Sequence, residues 1–235
     1  LFFTIRTQMA NDSKSAEQID ASDKNAPSIL HCVPLFHVTG SHAGFLMSVL
    51  SGRKMVLMSK WDVGHALELI QNEKITAITG VPTQTWDILN HPDKDKYDLS
   101  SLVDLSGGGA PRPPEHVKRL NDEMEGTPSI GYGLSETNAL GTLNAGEDYL
   151  KHPSSCGRAV PPVTEIAIVD QEWNFLNEGD HGEVVIKSPA NMIGYWDNPH
   201  ATKEVFNDEG WFKTGDLGYI EDDFLFIVDR VKDLV

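Results

Sequence analysis

Apolar and polar positions between residues 28 and 132 alternate with two different periods, which predict strands and helices in turn. Short runs rich in β-branched residues are typical of buried strands, whereas helical spacing of apolar residues is typical of amphipathic helices. Asp62 is a predicted N-cap, and Thr83 is predicted to begin a second helix. Pro113 and Pro114 fit the first turn of a third helix, which Gly126 terminates. The predicted strands are 28–33, 54–58, 75–79, 102–105 and 130–132. This order predicts a parallel sheet flanked by helices.

The pattern changes after Pro161 and Pro162, where strands follow one another with no long amphipathic helix between them. The predicted strands are 165–169, 182–187 and 224–228, and a turn at 177–180 joins the first two. The predicted fold class is therefore α/β: a parallel sheet flanked by helices, followed by a small antiparallel β-barrel-like subdomain.

Composition narrows the classes of function. The chain has 235 residues, of which 40% are hydrophobic, but its longest apolar run, 44–50, is far shorter than the roughly 20 residues that cross a bilayer. No transmembrane segment is predicted. The formal net charge is -16, from 19 basic and 35 acidic residues. Such a surface repels phosphates, so no nucleic acid partner is expected. Two unpaired cysteines, Cys32 and Cys156, are typical of incidental thiols in a cytoplasmic protein.

The candidate chemistry is concentrated in residues 131–138, Gly-Tyr-Gly-Leu-Ser-Glu-Thr-Asn. Its glycines let the backbone approach a ligand closely, and Tyr132 offers a flat face. Ser135 and Glu136 offer oxygens suited to a hard divalent cation such as magnesium. Taken alone, this segment also fits an ordinary turn.

Five further segments surround this one in a fixed order. They are Pro-Leu-Phe-His-Val-Thr-Gly at 34–40, Gly-Gly-Gly-Ala-Pro at 107–111, Gly-Glu-Val-Val-Ile at 182–186, Trp-Phe-Lys-Thr-Gly-Asp-Leu at 211–217, and Asp-Arg-Val-Lys-Asp at 229–233. Together they closely resemble the acyl-adenylate-forming (AMP-binding) superfamily, which includes acyl-CoA synthetases, peptide synthetase adenylation domains and beetle luciferases. The resemblance runs from about residue 33 to the last residue. The first two segments look most like those of fatty-acid or related CoA ligases.

The resemblance implies an ATP-dependent activation of a carboxylic acid. The acid attacks the α-phosphorus of ATP, pyrophosphate leaves, and CoA then takes the acyl group with release of AMP. ATP/AMP, Mg²⁺ and CoA are the implied cofactors and co-substrates. Because two anions must meet, positioning and electrostatic stabilisation are expected to dominate catalysis.

The resemblance also implies roles for individual side chains. Glu136 matches the magnesium ligand, and Ser135 matches a phosphate-contacting hydroxyl that is usually threonine. His37 matches a histidine between the acyl and nucleotide sites. The implied nucleotide-binding residues are Gly108, Gly109, Ala110, Pro111, Tyr132, Gly133, Ser135, Asp216, Ile227 and Arg230.

Within that set, Tyr132 is expected against adenine, Asp216 on the ribose hydroxyls, and Arg230 on the ribose or phosphate. We therefore expect Tyr132, Glu136, Asp216 and Arg230 to converge on one purine nucleotide. Plain structural explanations stay open beside these roles. Asp216 also fits a turn, and Ile227 also fits a core position.

Two family segments have no match in this chain. No Ser/Thr/Gly-rich loop ending in Pro-Lys-Gly occurs, and residues 1–3 resemble the helix that follows that loop. Lys232 matches the pivot of the hinge to a C-terminal domain. The expected parts are 1–160, an α/β subdomain incomplete at its N-terminus; 161–230, the β-barrel-like subdomain; and 231–235, the hinge. We expect such a piece to be inactive alone and to expose apolar surface, which makes a homodimer plausible.

Two other functions stay open at this point. The same adenylation suits a carrier-protein thiol or another acceptor in place of CoA, and a non-catalytic nucleotide-binding module is also compatible. A serine hydrolase is set aside, because residues 133–137 imitate a nucleophile elbow but end in threonine where glycine is needed.

Overall fold

The computed structural model describes residues 26–231, and the chain divides into two compact units, Leu1–Ser129 and Ile130–Val235. The strands of the first unit are β1 (Ser28–His31), β2 (Lys54–Leu57), β3 (Ala77–Gly80) and β4 (Asp104–Gly108); β5 (Thr127–Tyr132) contains the boundary between the units. The first four strands lie in the order β2-β1-β3-β4, and each neighbouring pair is parallel. A strand is therefore found at each of the five predicted places, with bounds that differ by up to three residues, and the predicted parallel arrangement is confirmed for β1 to β4.

Helices alternate with these strands. They are α1 (Met47–Ser51), which continues a π-helical stretch (Thr39–Leu46), α2 (Val63–Glu73), α3 (Pro82–Asn90), a 3₁₀ turn (Lys94–Lys96) and α4 (Pro114–Glu123). The sequence predicts α2, α3 and α4 but not the helical stretch before β2. Gly40 and Gly44 disfavour a helix there by about 1 kcal/mol each. Gly44 is required for packing, because a Cβ would lie 2.5 Å from Nδ1 of buried His31.

One aligned row of apolar residues organises the core of the first unit. Leu30 is the register partner of Ile78, and Ile78 is that of Leu105, so the three side chains share one face of the sheet. Helices α2 and α3 cover this face. The helix residues buried against it are Ala66, Leu67, Ile70, Ile88 and Leu89.

The second unit is built on an antiparallel sheet. Its elements are a 3₁₀ turn (Ser135–Thr137), β6 (Thr142–Ala145), α5 (Gly146–Lys151), β7 (Arg158–Ala159), β8 (Glu165–Val169), β9 (Gly182–Lys187), α6 (Pro199–Val205), β10 (Phe212–Glu221) and β11 (Phe224–Arg230). Strands β8 to β11 form a sheet in the order β11-β10-β9-β8, with every neighbouring pair antiparallel. This sheet confirms the antiparallel module predicted after Pro162.

Strand β10 is the main element that the sequence does not predict. Gly215 and Gly218 make its sequence resemble a turn. In the structure Gly218 lies against the backbone oxygen of Phe226, where a Cβ has no room. The glycine thus marks a close approach of two strands.

The helices among the described residues are short. The longest helix there, α2, has 11 residues, whereas a bilayer needs about 20. None of the helices within 26–231 is long and apolar enough to cross a membrane.

Replacing Asp62 by alanine should lower the free energy of unfolding by about 1 kcal/mol. The Asp62 side chain accepts a hydrogen bond from the backbone N–H of His65 at 2.8 Å, at the start of α2. Alanine leaves that N–H without this acceptor, whereas Asp62→Asn keeps an oxygen. Urea unfolding should show a lower midpoint for Asp62→Ala at an unchanged slope, and a near-parental midpoint for Asp62→Asn. Equal midpoints for all three proteins would contradict the capping role.

Candidate active site

The carboxylate of Asp216 lies at the centre of a three-residue cluster in the second unit. Its Oδ2 accepts a hydrogen bond from the Tyr132 hydroxyl at 2.7 Å, and its Oδ1 accepts one from Nε of Arg230 at 2.9 Å. Asp216 is only 6% exposed. A buried carboxylate is costly unless it is paired and hydrogen-bonded, so both partners stabilise its charge. The structure thus brings together three of the residues assigned to the nucleotide by resemblance.

A bulge in β10 directs the Asp216 side chain. Lys213 pairs with Val185 and Leu217 pairs with Glu183, so three residues of β10 lie opposite one residue of β9. Extra residues of this kind bend a strand and re-aim its side chains. Gly215, inside the bulge, has a φ of 76°, which glycine adopts without strain. The backbone conformation of the bulge therefore explains why glycine precedes Asp216.

Hydrogen bonds of Thr214 stabilise this bulge. Its hydroxyl donates to the backbone oxygen of Val184 at 2.9 Å and accepts from the backbone N–H of Asp216 at 3.1 Å. The N–H of Gly215 donates to a carboxylate oxygen of Glu183 at 3.0 Å. These bonds satisfy backbone groups that the bulge removes from the ladder. The protein itself therefore holds the backbone of Asp216 in place.

Arg230 reaches Asp216 across the β10–β11 ladder, where the two residues are direct register partners. The Asp216 side chain is 9% exposed, whereas that of Arg230 is 63% exposed. The pair therefore joins a buried carboxylate to a cation in contact with solvent. A guanidinium in this position can also attract an anionic ligand.

Tyr132, at the end of β5, packs against the apolar cluster of the second unit, as does Ile227 of β11. Burial, and then the charge of Asp216, raise the pKa of the Tyr132 phenol above its usual range. The hydroxyl is therefore protonated at neutral pH and acts as a donor. Ile227 packs in the same cluster, in agreement with the core position that its sequence also fits.

The loop after Tyr132 is closed by contacts within itself. A Cβ on Gly133 would lie 2.5 Å from the carbonyl carbon of Ala139, so this approach requires glycine. The N–H of Leu134 donates to the Thr137 hydroxyl at 3.0 Å, and the N–H of Ala139 donates to the backbone oxygen of Leu134 at 2.9 Å. These contacts fix the backbone conformation of the loop.

Ser135 and Glu136 are part of this loop. Ser135 is exposed, and Glu136 is partly buried. The Tyr195 hydroxyl donates to Oε1 of Glu136 at 3.0 Å. Within residues 26–231 no group of three or more His, Cys, Asp or Glu side chains could hold a metal ion. A single carboxylate fits Mg²⁺ that takes its other ligands from phosphates and water. Glu136 therefore fits a cation that arrives with a nucleotide.

The other predicted site residues lie in the first unit. His37 is exposed in the loop after β1, with its ring 4.7 Å from that of the preceding phenylalanine. Gly108 ends β4, and Gly109, Ala110 and Pro111 form an exposed turn in which Gly109 has a φ of 73°. Both segments follow the carboxyl ends of parallel strands, the edge at which α/β sheets bind ligands.

Arg112 and Tyr195 are the neighbours of the site that the sequence does not predict. Arg112 is buried and donates to the backbone oxygens of Ser129 and Leu105, at 3.1 and 3.4 Å, so it anchors the turn after β4. The partners of Arg112 lie 7 and 17 positions away, and that of Tyr195 lies 59 positions away, so neither contact follows from the local sequence pattern. Lys232, the predicted hinge residue, and residues 1–3 lie outside the described residues.

The chain is similar to a known protein family and to individual relatives. The family model described as "AMP-binding enzyme" matches residues 4–196. The chain is 35% identical over 237 residues to the long-chain-fatty-acid–CoA ligase of Bacillus subtilis (strain 168), an alignment that covers 100% of this chain and 42% of the relative. It is 33% identical over 232 residues to 4-coumarate-CoA ligase 1 of Narcissus pseudonarcissus, covering 94% of this chain and 42% of the relative.

Solved structures show the same likeness. The N-terminal domain of FACL13 from Mycobacterium tuberculosis has a TM-score of 0.80 at 31% identity, over 87% of this chain and 51% of that one. An o-succinylbenzoate CoA synthetase of Bacillus subtilis, in complex with ATP and a magnesium ion, has a TM-score of 0.80 at 26% identity, over 100% of this chain and 47% of that one.

The chain spans about two-fifths of the length of the curated relatives it matches. The alignment to the Bacillus subtilis long-chain ligase covers all of this chain, and so it includes both units. The family model covers most of the residues, including Tyr132 and Glu136. This chain belongs to the AMP-binding enzyme family.

Proposed function

We propose that the protein carrying this chain activates a carboxylic acid with ATP and transfers the acyl group to CoA. The acid's carboxylate oxygen bonds to the α-phosphorus while the bond to pyrophosphate breaks, which gives an acyl-adenylate. The CoA thiol then attacks the acyl carbon, loses its proton and displaces AMP. Relatives that are CoA ligases of long-chain fatty acids and of 4-coumarate support this reaction. The proposed substrate is a fatty or related acid.

The observation that carries this proposal is the shared carboxylate of Asp216. Its two oxygens offer about four lone-pair sites, while Tyr132 and Arg230 each donate one hydrogen bond to it. The further acceptor capacity suits the two vicinal hydroxyls of a ribose. We therefore assign Asp216 to the ribose of the nucleotide.

The base and the phosphates need different surroundings. Adenine needs a flat apolar flank, for which Tyr132 and Ile227 are suited because they share one apolar cluster. The resemblance assigns the segment from Gly108 to Ala110 to adenine, and Pro111 and Gly133 to the nucleotide.

The net charge of -16 opposes the binding of a polyanion, so local groups must offset it. Arg230 supplies a positive charge, and the exposed Ser135 hydroxyl can donate to a phosphate oxygen. Glu136 would hold Mg²⁺, which when bound neutralises charge on the phosphates. The resemblance assigns His37 to a place between the acyl and nucleotide sites.

A substrate panel tests the proposal directly. The full-length gene product should release pyrophosphate with ATP and a subset of fatty or aryl-propenoic acids, and form AMP and acyl-CoA when CoA is added. Amino acids provide the contrasting set, since their selective activation without CoA transfer favours a carrier-protein acceptor. Nucleotide binding without pyrophosphate release from any acid would favour the non-catalytic module.

Replacing Asp216 by asparagine should weaken AMP binding roughly 10- to 100-fold, because hydrogen bonds to a charged group contribute about 1.5–3 kcal/mol. Isothermal titration of AMP into the full-length protein measures this effect. Asp223→Asn is the matched control, since Asp223 is exposed between β10 and β11 and has a φ of 66° that asparagine tolerates. Equal AMP affinity of Asp216→Asn and the parent would remove the ribose assignment.

Replacing Glu136 by glutamine should raise the Mg²⁺ concentration needed for half-maximal pyrophosphate release and lower kcat by about 100-fold or more. The amide keeps the size of the side chain but removes the charge that attracts the cation. Titration of Mg²⁺ at saturating ATP measures the change. Exposed Glu172→Gln serves as the control. An unaltered Mg²⁺ dependence in Glu136→Gln would contradict the assignment.

A further inference from the structure

A segment between β9 and α6 is fastened to the loop that carries Glu136; we call residues 188–198 the strap. The backbone N–H of Met192 donates to the backbone oxygen of Glu136 at 2.6 Å. Nδ2 of Asn138 donates to a backbone oxygen of the strap at 2.7 Å. The Tyr195 hydroxyl donates to Oε1 of Glu136 at 3.0 Å. Three hydrogen bonds therefore join strap and loop, and one of them reaches the side chain proposed to bind magnesium.

The first turns of α6 hold the backbone of Tyr195. Its N–H donates to Oγ1 of Thr202 at 2.9 Å, and that hydroxyl donates to the backbone oxygen of Asn198 at 3.0 Å. A Cβ on Gly194 would lie 2.8 Å from the Thr202 methyl group, so glycine permits this close contact. Asn198 in turn caps α6, accepting from the N–H of Ala201 at 3.1 Å. The start of α6 therefore fixes the backbone of Tyr195 and, with it, the place from which the phenol extends.

We infer that Tyr195 is a positioning residue that orients the Glu136 carboxylate for the magnesium ion of bound ATP. The inference rests on the proposed function, in which Glu136 binds that ion. A hydrogen bond to Oε1 restrains rotation of the carboxylate and leaves its second oxygen for the cation. Hydrogen-bond partners of ligating carboxylates typically contribute 10- to 100-fold in metal affinity.

The chemistry of the phenol suits this role. A phenol with the ordinary pKa of tyrosine, about 10, is neutral at physiological pH. It donates one hydrogen bond without adding a charge that would compete with the cation for the carboxylate.

Replacing Tyr195 by phenylalanine removes the hydroxyl and keeps the ring. In the full-length gene product saturated with a nonhydrolysable ATP analogue, the Kd for Mn²⁺ should rise about tenfold or more. The electron paramagnetic resonance signal of free Mn²⁺ measures it without turnover. The Mg²⁺ concentration at half-maximal pyrophosphate release should rise by a similar factor, while the KM for the acid stays unchanged.

Tyr219→Phe is the matched control, because the Tyr219 ring stacks on His181 and Phe226, at 4.7 and 4.9 Å, and keeps those contacts without its hydroxyl. Its Mn²⁺ affinity should equal that of the parent. A loss shared by both phenylalanine variants would point to general loosening and overturn the inference. If Tyr195→Phe does not fold, Thr202→Val loosens the same backbone, and an unchanged Kd for Mn²⁺ in that variant would overturn it.

Glu136→Gln separates this inference from the proposed function. If that variant loses Mn²⁺ affinity while Tyr195→Phe binds as tightly as the parent or more tightly, Tyr195 does not position the carboxylate and the proposed metal ligand stands. If Glu136→Gln keeps the parental affinity, the assignment of Glu136 fails and the role of Tyr195 fails with it.

Discussion

Burial of the Asp216 charge is the constraint around which the second unit arranges its strand ends. Breaking a fully buried ion pair typically costs 3–5 kcal/mol, although here Arg230 is largely exposed, which lowers that cost through solvent screening. Tyr132 comes from β5, Asp216 from β10 and Arg230 from β11, so one carboxylate ties three strands together. The side chains that stabilise this arrangement are the ones that the proposed function assigns to the nucleoside. Under the proposed function, stability and binding are therefore coupled at Asp216.

The motif glycines meet backbone requirements that exist without any ligand. Gly215 adopts a positive φ inside the bulge that directs Asp216, and Gly133 permits the loop after Tyr132 to close on Ala139. The motifs thus divide into residues that shape the backbone and residues that present oxygens or a ring. A backbone role for these glycines and a binding role for their neighbours are compatible, because the backbone shape that each glycine permits holds the neighbouring side chain in place.

Under the proposed function, the single carboxylate of Glu136 serves a cation in a strongly acidic chain. Its loop is closed internally, and Tyr195 reaches it from a segment fastened at the cap of α6. A metal carried by a nucleotide needs only one or two protein oxygens, since phosphates and water complete its shell. Under that condition the orientation of a single side chain matters more than the number of ligands. In the inference drawn for Tyr195, a hydrogen-bonded phenol sets the orientation of this carboxylate.

The order of strands and helices, the N-cap at Asp62 and the antiparallel module after Pro162 were readable from the chain because period and capping are local properties. Strand β10 was not, since Gly215 imitates a turn and only pairing with β9 and β11 makes the segment extended. The roles that the resemblance assigns to individual side chains, in both units, stay predictions. The pairing of Tyr195 with Glu136, 59 positions apart, carries no signal in either segment. Contacts of this kind depend on strand register and loop closure, which arise from the folded chain as a whole.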